Sequence, residues 1–514
     1  MSDHAGSFMS RTETRPAGYY WVMGALLLLA CTATAQTDSL GSLQTRLSNH
    51  LAQPKFAAAA WGVKVISLDS GKTVFEQNAQ KLLKPASNAK LYTGALALDR
   101  LGPGFRIRTS LLAATRPDKS GTLRGDLVVF GRGDPTFAAR FHNGSHTNLL
   151  SPLATALATA GVKRIQGDLV GDESFFRGPP TGSQWAADDL QNYYGAEVSA
   201  LTVEDNTVDL IFRPGSGAGV PCRITTLPAT DYLHFDNRTR TVGRDGARDI
   251  SIYRPLGENT VVVTGQLPLG GTNWIDAVTV HQPALWFVRL LEEELARRGI
   301  RVAGGLRTVN WLDRDARPAT NLLELASVQS PPLAEILPKM LKPSQNLYAQ
   351  LLLLQAGGSR HHEINAAVTT EELGLAELRE FLASAGIDRR EVLLEDGSGL
   401  SRGTILTPSA TATLLQFMHR HRHAQEFRDS LPLAGVDGTL RNRFKGTAAF
   451  QNVRAKTGTL RHVNTLSGYV TTKAGETLAF SFMLNNFEAA TARKELDVMA
   501  VLLAEWDGQT TKLE

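Results

Sequence analysis

Between about residues 106 and 280 the chain breaks into short β-like runs punctuated by Gly, Pro and Asp, while helix-period segments dominate on both sides. Asp126–Phe130, Ile165–Val170 and Thr260–Thr264 are such runs, and one helix-like stretch, Leu149–Gly161, lies between two of them. The middle third therefore reads as inserted, mostly β material within a mixed α/β frame. A chain of 514 residues is also too long for one ordinary core, so two or three domains are expected.

The flanks carry the frame. Residues 61–78 alternate as a hairpin, with Val63, Val65 and Leu68 before the turn at Asp69–Lys72 and Val74 and Phe75 after it. A helix follows, with Leu91, Ala95 and Leu98 on one face and Gly102-Pro103 as its stop. Further helices are expected at 283–299, 333–341, 345–356 and 408–422. A strand pair, Thr465–Thr471 and Thr477–Leu484, precedes a final amphipathic helix near 489–504. There are no internal repeats.

The N-terminus has the layout of a secretory signal. Arg11 and Arg15 precede the apolar run Tyr19–Ala30, and the small residues Cys31–Gln36 follow, so cleavage after Ala35 is expected. That run is too short for a bilayer span, which takes about 20 residues. A competing cut at Leu28-Leu-Ala-Cys31 would lipidate Cys31 and anchor the protein. Either cut leaves Cys222 as the only thiol able to form an internal bond, which excludes an internal disulfide framework. The formal charge of +4 is small for this length and excludes a typical nucleic-acid binder.

Three short elements can carry chemistry. Ser87 and Lys90 stand three residues apart where the hairpin ends and the helix begins, so the amine can reach the hydroxyl. A serine hydroxyl needs a base to take its proton, and a lysine serves only when burial or neighbouring cations lower its pKa. Lys456-Thr457-Gly458 precedes the strand pair and fits an edge strand, where a cation can hold a carboxylate and glycine admits close backbone approach. Ser344-Gln345-Asn346 opens the apolar helix, and taken alone it is simply a helix cap. Together and in this order, the three form a much more specific pattern.

With these motifs the chain resembles penicillin-binding enzymes, specifically the class C low-molecular-mass D-alanyl-D-alanine carboxypeptidases/endopeptidases of serine peptidase family S13. Pro85–Ser87, Gly133–Thr136, Ser344–Tyr348, Asp396–Arg402 and Ala434–Leu440 carry the resemblance, which runs from about residue 55 to 500. It implies an α/β (α+β) transpeptidase/β-lactamase-like domain, a sheet flanked by helices, with nested β-rich inserted domains. The division it implies is a signal peptide over 1–35 and a catalytic domain over 36–105 and 281–514. One inserted domain would cover 106–128 and 183–280, and a second, nested in it, 129–182. Ser344 follows Ser87 by 257 residues (344 − 87), far more than in β-lactamases.

The resemblance further implies roles. Ser87 would attack the carbonyl between two D-alanines, with Lys90 as base and the N–H groups of Ser87 and Thr459 holding the oxyanion. Ser344 and Lys456 would relay a proton to the leaving amine, while Asn346, Thr457 and Gly458 contact substrate. Asp172 and Arg402 would line a pocket for the zwitterionic end of a diaminopimelyl side chain. Expected partners are peptidoglycan stem peptides and, as covalent inhibitors, β-lactams, in the periplasm and without metal or organic cofactor. Gln345 departs from the family, which often has Asp there. A β-lactamase or esterase on the same scaffold, or a silent wall-binding protein, stay open as rival readings, although no E-x-x-L-N box is present.

Some residues are set aside. His361-His362-Glu363 lacks the second histidine of a zinc helix, and His419, His421 and His423 alternate with arginines as solvated segments. Leu351–Leu354 fits a core helix better than a membrane contact, and Cys222 a buried thiol better than a nucleophile.

Overall fold

Strand-like alternation at the two ends of the chain is resolved by pairing those ends with each other. In the computed structural model, which describes residues 39–316, 321–358, 368–488 and 490–510, five strands form one antiparallel sheet. They are β1 (Ala60–Ser67), β2 (Thr73–Gln77), β3 (Arg454–Leu460), β4 (Val463–Thr471) and β5 (Thr477–Asn485), in the order β2-β1-β5-β4-β3. The N-terminal hairpin thus completes a sheet begun almost 400 residues later, and β3 lies at its edge.

Both faces of this sheet are covered, so residues on both sides of its strands are buried. Val63, Val65, Phe480 and Phe482 pack on one face with helix Leu40–Leu51 and the C-terminal helix Ala492–Glu505. Ile66, Tyr469, Ala479 and Met483 face the other way, into a helical core. That core holds α1 (Ala89–Arg100) and α2 (Asn346–Gly358), with helices Leu333–Leu341, Thr370–Ser384 and Pro408–His419 around them. Leu351–Leu354 are buried within it. No helix among the described residues is long and apolar enough to cross a membrane.

A second core gathers buried residues from Leu111 to Ile300, the stretch expected to hold the inserted material. Its main sheet runs in the order 306–309, 169–172, 127–130, 108–113, 323–329, parallel in its first two pairings and antiparallel in the last two. Two smaller sheets follow, one of 207–213, 223–227 and 274–279 and one built around 260–268. Cys222 is buried there.

This core does not stop at residue 280. Ala284, Trp286, Phe287, Val288 and Leu291 of helix Pro283–Arg297 are fully buried in it, and strands 306–309 and 323–329 complete its sheet. The sequence boundary at 281 rested on the change from strand-like to helix-like texture. A crossover helix makes the same change of texture inside a single core, because parallel strands need one. The helix at 283 therefore packs against the inserted sheet rather than the catalytic one. The expected signal peptide over residues 1–35, Cys31 and Gln36 lie outside the described residues, as does His361-His362-Glu363.

Candidate active site

The nucleophile candidate sits at a strained turn. Ser87 lies in the 3₁₀ turn Ala86–Asn88 directly before α1, and Ala86 has φ 47°, a left-handed value that only surrounding contacts can hold. Those contacts come from β4, the strand next to the edge. Thr465 Oγ1 donates to Pro85 O at 2.8 Å, and Asn88 Nδ2 donates to Ser467 Oγ at 2.7 Å. Gly458 is required at this seam: a Cβ there would stand 2.6 Å from Pro85 O and 3.0 Å from Ser87 N. Glycine thus lets β3 lie against the serine's own backbone.

Lys90 comes one helical turn later and points back at Ser87, as the i, i+3 spacing requires. Its Nζ is 2.8 Å from Ser87 Oγ, 2.5 Å from Asn346 Oδ1 and 2.8 Å from Ser398 O. Lys90 is fully buried. Burial pushes its pKa down to about 7, against the opposing pull of the Asp396 carboxylate. A neutral amine is therefore accessible near neutral pH, with a lone pair in reach of the serine proton.

A second buried lysine faces it. Lys456 Nζ donates to Ser344 Oγ at 2.7 Å and to Thr457 O at 2.7 Å. Burial and the charge of Lys90 hold Lys456 well below the usual lysine range. Ser344 itself has φ 68°, so the turn before α2 is also strained. Asn346 Nδ2 donates to Tyr194 O at 2.8 Å, tying the inserted region to the centre. Gln345, where the family often has Asp, accepts from Leu347 N–H at 3.0 Å and so caps the first turn of α2.

These groups open onto a cavity of about 600 Å³ lined by Ser87, Ser344, Asn346, Thr457, Thr459 and Arg402, among others. The structure thus gathers nearly every residue singled out from sequence, Lys90, Lys456 and Gly458 supporting the wall from behind. Asp172 is the exception. It is buried on strand 169–172 of the second sheet, paired with Arg314 and accepting from Ser174 N–H at 3.0 Å. It does not line the cavity and cannot serve a pocket there. Its setting in Gly171-Asp172-Glu173-Ser174 carries no information on which sheet would hold it. The carboxylate that does line the cavity beside Arg402 is Asp189, 3.7 Å from the guanidinium.

Two further groups were not legible from residue types. Ser398 contributes a backbone carbonyl to Lys90, and Asp396 holds the turn that aims it, accepting from Ser398 N at 3.2 Å, Gly399 N at 3.0 Å and Trp185 Nε1 at 3.0 Å. The Asp-Gly-Ser-Gly run at 396–399 was a visible turn signal, but a carbonyl contact leaves no mark on side-chain identity. Among the described residues no group of His, Cys, Asp and Glu could hold a metal ion, and His421 pairs with Asp99 at 3.1 Å instead.

The profile of the D-Ala-D-Ala carboxypeptidase 3 (S13) family matches residues 43–506. The chain belongs to that family. The D-alanyl-D-alanine carboxypeptidase of Actinomadura sp. (strain R39) is 35% identical over 490 residues, covering 93% of this chain and 87% of its relative. Carboxypeptidase DacB of Haemophilus influenzae is 26% identical over 427 residues, covering 82% and 84%. The crystal structure of penicillin binding protein 4 from H. influenzae superposes with a TM-score of 0.73 at 24% identity, over 89% of this chain and 97% of that one. The fold of this S13 chain is thus the mixed α/β fold of a penicillin-binding protein.

Proposed function

We propose that the protein is a serine-type D-Ala-D-Ala carboxypeptidase/endopeptidase that cleaves peptidoglycan stem peptides through an acyl-enzyme at Ser87. The observation that carries this is the Lys90 amine, fully buried, lowered to about 7 and 2.8 Å from Ser87 Oγ. Neutral Lys90 takes the Ser87 proton as Oγ attacks the carbonyl between the two D-alanines. The N–H groups of Ser87 and Thr459 stabilise the oxyanion. The leaving D-alanine carboxylate lies against Thr457, in front of the buried Lys456, and a proton passes by way of Lys456 and Ser344 to the departing amine. Water then hydrolyses the ester. Asn346 orients both Lys90 and the substrate amide.

Arg402 and Asp189 in the cavity wall offer a fork and a carboxylate to a zwitterionic side-chain end of the stem peptide. The inserted region, which runs to about residue 329, supplies the Asp189 side of that wall. A β-lactam fits the same attack, since its opened ring stays attached and hinders water. The N-terminal segment makes the site of action the periplasm, with mature protein beginning at Gln36.

Intact-mass spectrometry after incubation with penicillin tests the reading. One covalent adduct is expected on the wild type and none on Ser87→Ala. An adduct that persists in the alanine variant would refute Ser87 as nucleophile.

A further inference from the structure

Four guanidiniums line the catalytic cavity: Arg140, Arg402, Arg461 and Arg493. Two of them are neutralised, Arg140 by Asp205 and Arg402 by Asp189. Arg461 and Arg493 are different. Both are exposed, and neither guanidinium has an ion-pair or hydrogen-bond partner among the described residues. Arg461 follows the end of β3, and Arg493 stands in the first turn of helix Ala492–Glu505, whose positive end adds to the local potential.

The position of the pair along β3 gives it a meaning. Resting on the proposed reaction, the order along this edge strand is Lys456 and Thr457 at the leaving carboxylate, Thr459 at the reacting carbonyl, then Arg461. A substrate laid against the edge as an added strand therefore runs its acyl portion from Thr459 towards Arg461. Arg461 lies two residues beyond Thr459, about 7 Å of extended strand. From the reacting carbonyl, the acyl alanine and the residue before it span a similar ~7 Å. The next residue back in a stem peptide is a γ-linked D-glutamyl, whose α-carboxylate is free unless amidated. Unpaired planar forks suit a carboxylate, and the neutral amide offers them no charge.

We propose that Arg461 and Arg493 form a specificity site for the free α-carboxylate of the γ-D-glutamyl residue on the acyl-donor strand, so that the protein discriminates acid from amidated stem peptides. The site lies at the opposite end of β3 from Lys456 and leaves the cavity's paired guanidiniums to other parts of the substrate.

The test compares two synthetic stem pentapeptides, one with the γ-D-glutamyl α-acid and one with the α-amide, on the mature wild-type protein. The acid should be preferred about tenfold in kcat/KM, the scale of one exposed charge-assisted contact. In Arg461→Gln/Arg493→Gln the ratio should fall to within about twofold of one, and Arg461→Glu should turn the preference towards the amide. Circular dichroism melting checks that the variants remain folded, as expected for exposed side chains without partners. A wild-type ratio near one, or a preference that survives the double substitution, overturns the site while leaving the Ser87 reading intact, since penicillin would still form its adduct. Absence of both turnover and adduct in the wild type overturns the site together with the reading on which it rests.

Discussion

Two sites in this molecule bury charge in opposite ways. At one, the buried Asp172 carboxylate is paired with Arg314, and at the surface nearby Arg307 bridges Asp126 and Asp168. In the catalytic centre two lysines are fully buried, and neither has a carboxylate in salt-bridge contact among the described residues. Their partners are two hydroxyls, an amide oxygen and backbone carbonyls. The first arrangement keeps both charges and suits a scaffold. The second makes the charged form of each lysine expensive, which is what a proton-accepting amine requires. Stability is given up at the site where proton transfer is needed.

The largest expected effect breaks this arrangement chemically. Lys90→Arg keeps a cation at the centre but cannot release its proton near neutral pH. Acylation by penicillin, followed by stopped-flow mass or fluorescence, should fall at least about a hundredfold, the range of general-base catalysis. A near-normal acylation rate would remove Lys90 from the role of base.

The scaffold side responds differently. Arg314→Ala strands the buried Asp172 carboxylate, so stability should fall by about 2 kcal/mol in urea unfolding. That is below the range for a fully buried pair, because the Arg314 side chain is 26% exposed. Penicillin acylation of the folded variant should stay within about twofold of wild type. A variant as stable as the parent would show that this pair does not hold strand 169–172 in place.

How far the site could be read from sequence follows the same division. Ser87, Lys90, Ser344 and Lys456 come together as their motifs suggest because that placement depends on local spacing: one helical turn, one helix start, one edge strand. Asp172 was misplaced and Asp189 passed over because pocket membership depends on which sheet a strand joins, and Gly171-Asp172 has no local feature that decides this. The fold divides likewise. The hairpin, the helices at 333–341 and 408–419 and the final strand pair were visible as periodic segments. Strands 306–309 and 323–329 were not, since their burial is partial and their partners lie far back in the chain. Ser398 entered through its carbonyl, which any residue carries.

A smaller effect concerns stability against pH. Lys90 and Lys456 have lowered pKa values when folded, so between about pH 7 and the ordinary lysine value the unfolded chain binds more protons than the folded one. Stability should therefore rise with pH across that window and fall back as pH drops towards 7. Each lysine contributes a slope of up to about 1.4 kcal/mol per pH unit. Lys90→Met should flatten the slope between pH 7 and 9, measured as urea unfolding at fixed ionic strength. An unchanged slope would mean that the buried amine is charged throughout. The upper end of the window stops short of pH 10, because buried tyrosines such as Tyr92, raised by burial, reverse the trend once their unfolded counterparts ionise.

The finest test gives the catalytic centre the charge rule of the scaffold. Asn346 Oδ1 accepts from Lys90 Nζ at 2.5 Å, so Asn346→Asp replaces a neutral acceptor with a carboxylate of nearly the same shape. Opposite charge at that distance favours the ammonium and should move Lys90 up by about 1 to 2 pH units from its value near 7. Acylation in the wild type should lose about tenfold per pH unit below that value, as the neutral fraction does. In the variant the same inflection should appear near pH 8 to 9, with a loss of about tenfold at pH 7 that is largely recovered at pH 9.5. Recovery is the decisive feature, because a loss from misplaced substrate would persist at every pH. An inflection that stays near 7 would mean that a group other than Lys90 governs acylation, and the contrast between the two sites would no longer explain the chemistry.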